Sequence, residues 1–278
     1  APVELTAANA RRVLEYLDIT DIPVAVGAAR PLKHPLVDAL DYHGPDGLGQ
    51  CGLPPPSLLP HPAKAWDFLA ELILNAPDEV TLVATGPLTN IAYAFQHYPE
   101  LPKSLDRLVI MGGAYNLTPY GKGNRTPFAE FNIWQDPEAA YVVFNSRARI
   151  SAVGLDVSTN PAACLTGQHL EQIKCSQNPS ARLAAQLVEY VITHHGHCEL
   201  HDPLALATLL DDSLFDFVPV PVEIMTGNGW NRGVTHILPS DSCQLSANSP
   251  QLINVAAGVD GPRFLNLFLS RILEEQDG

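Results

Sequence analysis

This sequence has little cysteine, little charge and no long apolar run, and each shortage removes a class of explanation. Its five cysteines, Cys51, Cys164, Cys175, Cys198 and Cys243, are odd in number and widely spaced, with no C-x-x-C pair. That argues against a disulfide framework or a thiolate zinc site and for free thiols in a reducing compartment. No apolar stretch approaches a membrane span and no signal-peptide pattern opens the chain, so the expected location is cytoplasmic. Only 17% of residues are charged, with 16 Lys and Arg against 30 Asp and Glu, a formal charge of -14. Such a balance disfavours nucleic-acid phosphates and anionic membranes as partners, and suits a small molecule or a cation. Also missing are the Lys of a Walker loop, a G-x-S-x-G elbow and an H-E-x-x-H helix.

What is present describes a well-packed globular chain: 46% hydrophobic residues in a length of 278, with 25 Pro and 19 Gly scattered through loops. Apolar periodicity predicts helices over 4–18, 62–75, 136–146, 180–193, 203–210 and 261–274, and another beginning at Asn90. Strands are predicted over 22–27, 80–84, 108–111, 150–157, 217–225, 233–238 and 252–257. Strand and helix alternate, so the expected fold is α/β: an open, largely parallel, Rossmann-like sheet with helices on both faces, forming one domain over 1–278. Ligands bind such sheets beyond the carboxyl ends of the strands. Thr85, Gly112, the 114–132 loop and Asp156 all follow strand ends and should share that rim.

Four stretches carry chemistry. Asn124-Arg-Thr-Pro-Phe-Ala-Glu130-Phe131-Asn132 gathers two carboxamides and a carboxylate at a loop-to-helix junction, a set able to bind vicinal hydroxyls. Its plainer reading is a polar surface loop with Asp136 as a helix cap. His201-Asp202-Pro203 is either a capped helix start, with Asp202 the cap, or a hard-cation ligand beside an imidazole able to protonate a leaving group. Thr85-Gly86-Pro87 is either a helix-capping turn or a carbonyl facing a metal. The Gly-rich stretch after His43 is either an exposed turn or a lid whose His touches substrate; its length favours a lid. Trp230 reads as ordinary packing at a strand end, with a place in a ligand pocket as the alternative.

Together, Thr85-Gly-Pro-Leu-Thr-Asn90, Met111-Gly-Gly113, Asn124…Glu130-Phe-Asn132, Asp136-Pro-Glu-Ala-Ala140, Gly154-Leu-Asp156 and His201-Asp-Pro203 resemble the calcium-dependent nucleoside hydrolases, often called inosine–uridine-preferring. The resemblance runs from residue 1 to the end. It implies hydrolysis of the N-glycosidic bond of ribonucleosides to ribose and free base, around one Ca²⁺ that holds the ribose 2′- and 3′-hydroxyls and the attacking water. On matching positions, Asp202 would ligate the calcium by side chain and Thr85 by its carbonyl. Asn124, Glu130 and Asn132 would bind ribose hydroxyls, His201 would help the base leave, and His43 would belong to the closing loop. Base choice would rest on Tyr190 to Glu199, and the protein would be a homodimer or homotetramer.

The family's N-terminal D-x-D-x-G-x-D-D motif, source of most calcium ligands and the general base, is absent from this sequence. The expectation is that its strand, internal to the sheet, is missing from this chain: the segment exists but is not recorded, the start is misassigned, or the protein is a metal-free relative. Two other functions are therefore weighed. One is a non-catalytic module that binds ribose or a nucleoside. The other is a metal-dependent amidohydrolase, which would need a cluster from His194, His195, His197 and the His201-Asp202 pair.

Overall fold

The computed structural model describes residues 1–239 and 251–274, and Cys243 lies outside them. Its strands are β1 (Thr81–Ala84), β2 (Arg107–Met111), β3 (Ile150–Val153), β4 (Cys164–Leu165), β5 (Cys198–Glu199), β6 (Phe215–Ile224), β7 (Thr235–Ile237) and β8 (Leu252–Val259). The α-helices are α1 (Val3–Tyr16), α2 (Leu40–His43), α3 (Ala65–Asn75), α4 (Thr89–His97), α5 (Leu101–Ser104), α6 (Phe131–Gln135), α7 (Pro137–Phe144), α8 (Leu155–Ser158), α9 (Gly167–Lys174), α10 (Pro179–His195), α11 (His201–Leu210) and α12 (Gly261–Leu273).

Six strands form one sheet in the order β1-β2-β3-β8-β6-β7, and β4 and β5 make a separate small ribbon. The pairs β1–β2, β2–β3 and β3–β8 are parallel, while β6 runs antiparallel to both β8 and β7. Strand residues alternate between two apolar layers because successive side chains point to opposite faces. Leu108 and Ile110 join the layer built with α3, α4 and α7; Val109 and Met111 join the one built with α9, α10, α11 and α12. Both faces are covered, which explains why β2 reads as a continuous apolar run from Leu108 to Met111. Pro219 and Pro221 sit in the half of β6 that β7 does not pair with, where a missing N–H breaks no bond to that neighbour.

Three expectations need correction. Residues 22–27 are not a strand: Ala25 makes one isolated bridge to His61, and the Val24 and Val26 carbonyls accept from the His61 and Ala65 N–H groups. Apolar character alone does not make a strand where no neighbour supplies a ladder. The strand expected over 150–157 stops at Val153, and Leu155–Ser158 turns into α8. The helix expected from 136 is preceded by a separate short helix, α6, so the Glu130-Phe-Asn132 triplet itself starts a helix.

Candidate active site

The parallel strands β1, β2 and β3 end on a common rim, and the first candidate residues gather where β2 stops. Met111 leads into Gly112-Gly113, and Gly113 takes φ 92 with the Tyr115 ring packed where a Cβ would stand. The loop beyond returns to this turn through Glu130, which is 2% exposed. Its carboxylate accepts the N–H groups of Asn132 (2.8 Å), Ile133 (3.0 Å) and Gly113 (3.1 Å). Glu130 therefore caps α6 and ties it to β2 at once. Asn132 donates from Nδ2 to the Met111 carbonyl (3.2 Å), and Asn124 Oδ1 accepts the Phe131 N–H (2.9 Å). Three of the expected substrate residues are thus brought together. Thr85 lies one step beyond Ala84, which pairs with Ile110, so its backbone stands beside the Met111 end.

Two buried aspartates hold this platform. Asp156, 1% exposed, accepts from the N–H groups of Tyr115 (2.8 Å), Leu117 (2.6 Å) and Thr118 (3.2 Å), fastening the start of the 114–130 loop. Asp136 is the expected helix cap, through Ala139 N–H at 3.1 Å. It also accepts from Thr89 Oγ1 (2.6 Å) and the Leu32 N–H (2.9 Å). Sequence reasoning placed Asp156 only at the rim; its role as a loop fastener depends on donors about forty residues away, with no local signal.

His201-Asp202-Pro203 departs from its plainer reading. α11 begins at His201 with Leu200 at its N-cap position and no side-chain cap bond, so Asp202 is not the cap. Burial pushes the Asp202 carboxyl up to about 6, and no group donates to it among the described residues. Glu130 is raised too, by burial first, against the pull of its three backbone N–H bonds, with Asp202 adding to the rise. His201 is held by Ser158, whose Oγ lies 2.8 Å from Nδ1. Burial lowers the His201 pKa, His43 lowers it further, and Glu199 opposes both. His43, at the end of α2, is lowered by burial as well. Both imidazoles are thus shifted toward the neutral form.

The three histidines of the amidohydrolase reading do not converge. His194 packs on Tyr190, His195 stacks on Tyr42, and His197 bonds Glu199 at 3.2 Å. Among the described residues no three His, Cys, Asp or Glu side chains form a metal-binding group. Trp230 is not packed as expected: it is 76% exposed, edge-on to the exposed Phe128 with ring centroids 6.0 Å apart. A cleft of about 370 Å³ opens between residues 49–51 and α10, lined by Gln186, Glu189, Tyr190, Thr193 and His194.

A family model described as "Inosine-uridine preferring nucleoside hydrolase" matches residues 1–266. The chain belongs to this family. Its activity is that of a ribonucleoside hydrolase, cleaving ribonucleosides to ribose and free base, and the non-catalytic alternative is disfavoured. The pyrimidine-specific ribonucleoside hydrolase RihA of Shewanella sp. (strain ANA-3) is 39% identical over 274 residues, 96% of this chain and 83% of that protein. The RihA protein of Escherichia coli O8 (strain IAI1) is 36% identical over 276 residues, covering 97% and 85%. Among solved structures, the plant nucleoside hydrolase PpNRh1 superposes with a TM-score of 0.91 at 29% identity, over 99% of this chain and 88% of that one. The purine-preferring ribonucleoside hydrolase from Gardnerella vaginalis gives 0.87 at 30%, over 98% and 86%.

Nucleoside hydrolases use a metal ion. The donors described in this chain fit one only in part. Asp202 offers a carboxylate without a donor partner among the described residues and Thr85 a backbone carbonyl, whereas a calcium ion takes about six to eight oxygens. Two oxygens are no cage.

Proposed function

We propose that the rim around Glu130, Asp202 and His201 is the ribonucleoside site, with roles as follows. Asn124, Glu130 and Asn132 bind the ribose hydroxyls. Asn124 Nδ2 and Asn132 Oδ1 have no protein partner among the described residues and are free to do so. Cleavage of the C–N bond leaves positive charge on an oxocarbenium-like sugar. A carboxylate fixed by three backbone N–H groups stabilises that charge without having to reorganise.

His201 assists the departing base. As a neutral imidazole accepting at Nδ1 from the Ser158 hydroxyl, it carries its proton on Nε2 and donates from there. A neutral donor polarises the leaving group as negative charge gathers on it. His43 reaches the substrate from the Gly-rich loop. Asp202 and the Thr85 carbonyl are proposed as two ligands of a Ca²⁺ ion.

The observation that carries this reading is the Glu130 carboxylate fixed at the end of β2 by three backbone N–H groups, together with His201 held by Ser158 at the head of α11. The names of the relatives at 36–39% identity support uridine and cytidine as the first substrates to try, with inosine beside them. The test is ribose release from these nucleosides, with and without chelator. We expect turnover, and a loss of about 10²- to 10⁴-fold in kcat for His201→Ala. No ribose from any nucleoside would sink the reading. Free thiols at Cys51, Cys164, Cys175 and Cys198 support a cytoplasmic location. The family resemblance supports a homodimer or homotetramer, which light scattering decides.

A further inference from the structure

The Gly-rich loop after His43 is pinned at its root. Gly44, Gly47, Gly49 and Gly52 all take positive φ, a backbone that only glycine adopts at little cost. Within the loop, Asp46 Oδ1 accepts the Leu48 and Gln50 N–H groups, and the Gly49 N–H donates to the His43 carbonyl. One outer anchor is the buried Asn9 of α1, donating to the Asp46 carbonyl at 2.8 Å. The root itself is Tyr42, next to His43. Its hydroxyl donates to Glu199 Oε2 at 3.2 Å, and its ring stacks on His195, the last residue of α10, at 4.9 Å and 23°. Glu199 ends β5, two residues before His201, and is also bonded to His197.

We infer that the Tyr42–Glu199 hydrogen bond is a latch that holds the His43 loop closed against the strand leading into His201. Both act here as positioning residues: Tyr42 is given no contact with substrate, and Glu199, the last residue of the stretch expected to set base choice, acts through Tyr42. This inference rests on the ribonucleoside reading of the site only for its effect on KM. A nucleoside must pass the loop to enter and its products must pass it to leave, so the closed state must be favoured but reversible. One bond to a carboxylate plus one ring stack is of that order. When the latch is lost, the competent fraction falls and apparent affinity falls with it, whereas the chemistry after closure is unaltered.

Tyr42→Phe keeps the ring on His195 and removes only the hydroxyl. We expect KM to rise about tenfold, the factor that corresponds to the low end for a hydrogen bond to a charged group, with kcat not lowered. Limited proteolysis of the ligand-free protein should cut within residues 44–52 faster by a similar factor. In that proteolysis assay Glu199→Ala should match it, the double variant should be no worse than either single, and Glu199→Gln, whose amide oxygen still accepts from Tyr42, should restore most of the effect. Unchanged proteolysis in Tyr42→Phe, or strictly additive single effects, would overturn the latch. The proteolysis arm uses no nucleoside, so it decides the latch even if no ribonucleoside is turned over.

Discussion

The Gly113 N–H donates to Glu130 Oε2 at 3.1 Å, joining the end of β2 to the first turn of α6 across the whole 114–130 loop. With the Asn132 and Ile133 bonds, this makes one side chain both the cap of the helix and the clasp of the loop. Glu130→Ala should leave three buried N–H groups unpaired and cost about 2–4 kcal/mol, the range for a lost cap plus buried unsatisfied donors. Glu130→Gln keeps one acceptor oxygen and should cost less. Urea unfolding followed by circular dichroism measures both, and a change below about 0.5 kcal/mol in the Ala variant would contradict the double role.

Ser158 fixes one nitrogen of His201. Ser158→Ala should lower kcat about tenfold with KM little changed, because orientation and tautomer matter to proton donation and not to ribose binding. The loss should shrink for a riboside whose leaving group needs no proton, such as a nitrophenyl riboside. An equal loss on both substrates would place the role of Ser158 elsewhere.

Burial depresses the His43 pKa from its ordinary 6.5. The folded state then prefers the neutral ring. The stabilisation is complete above the unfolded value and is lost as pH falls through the depressed folded value. Amides of residues 44–52 should therefore lose protection from exchange between pH 7 and pH 5, after correction for the intrinsic pH dependence of exchange. His43→Gln should flatten that dependence. Equal protection in the two proteins at pH 5 would count against it.

Thiol reactivity should divide by burial. Burial raises Cys164 to about 11 and Cys198 to about 12, with Glu199 adding to both, and both side chains are buried. Cys175 is exposed. At pH 8 an alkylating reagent should label Cys175 in the native protein and reach Cys164 and Cys198 only in denaturant, as peptide mass spectrometry will read.

Much of the architecture was legible because parallel strands buried on both faces leave continuous apolar runs, as in Leu108–Met111. The 22–27 stretch misled for the same reason: Val24 and Val26 are apolar, but a strand is defined by its neighbours. The Asn124–Asn132 grouping was legible as chemistry through its density of polar side chains. That Glu130 also spends three backbone bonds on scaffold was not, because Gly113 is brought back only by the fold. Asp202 looked like a cap from Asp before Pro; the helix instead starts two residues earlier, at His201, and leaves the carboxylate without a donor among the described residues. Trp230 misled because a large aromatic near a strand end is usually packed, and here the loop carries it outward. Tyr42 and Glu199 are 157 positions apart, and no spacing rule links them.

Asp136 has a consequence for how the molecule comes apart. Completely buried, it grips Leu32 of the irregular early stretch, Thr89 at the head of α4 and Ala139 in α7. Residues around Leu32 have no ladder of their own, and a chain of that kind ordinarily frays at low temperature. Here fraying would strip a partner from a carboxylate walled off from water. The stretch is thereby tied into the cooperative unit of the sheet, so that a fluorophore placed near Leu32 and the far-ultraviolet signal of the helices should report one melting transition.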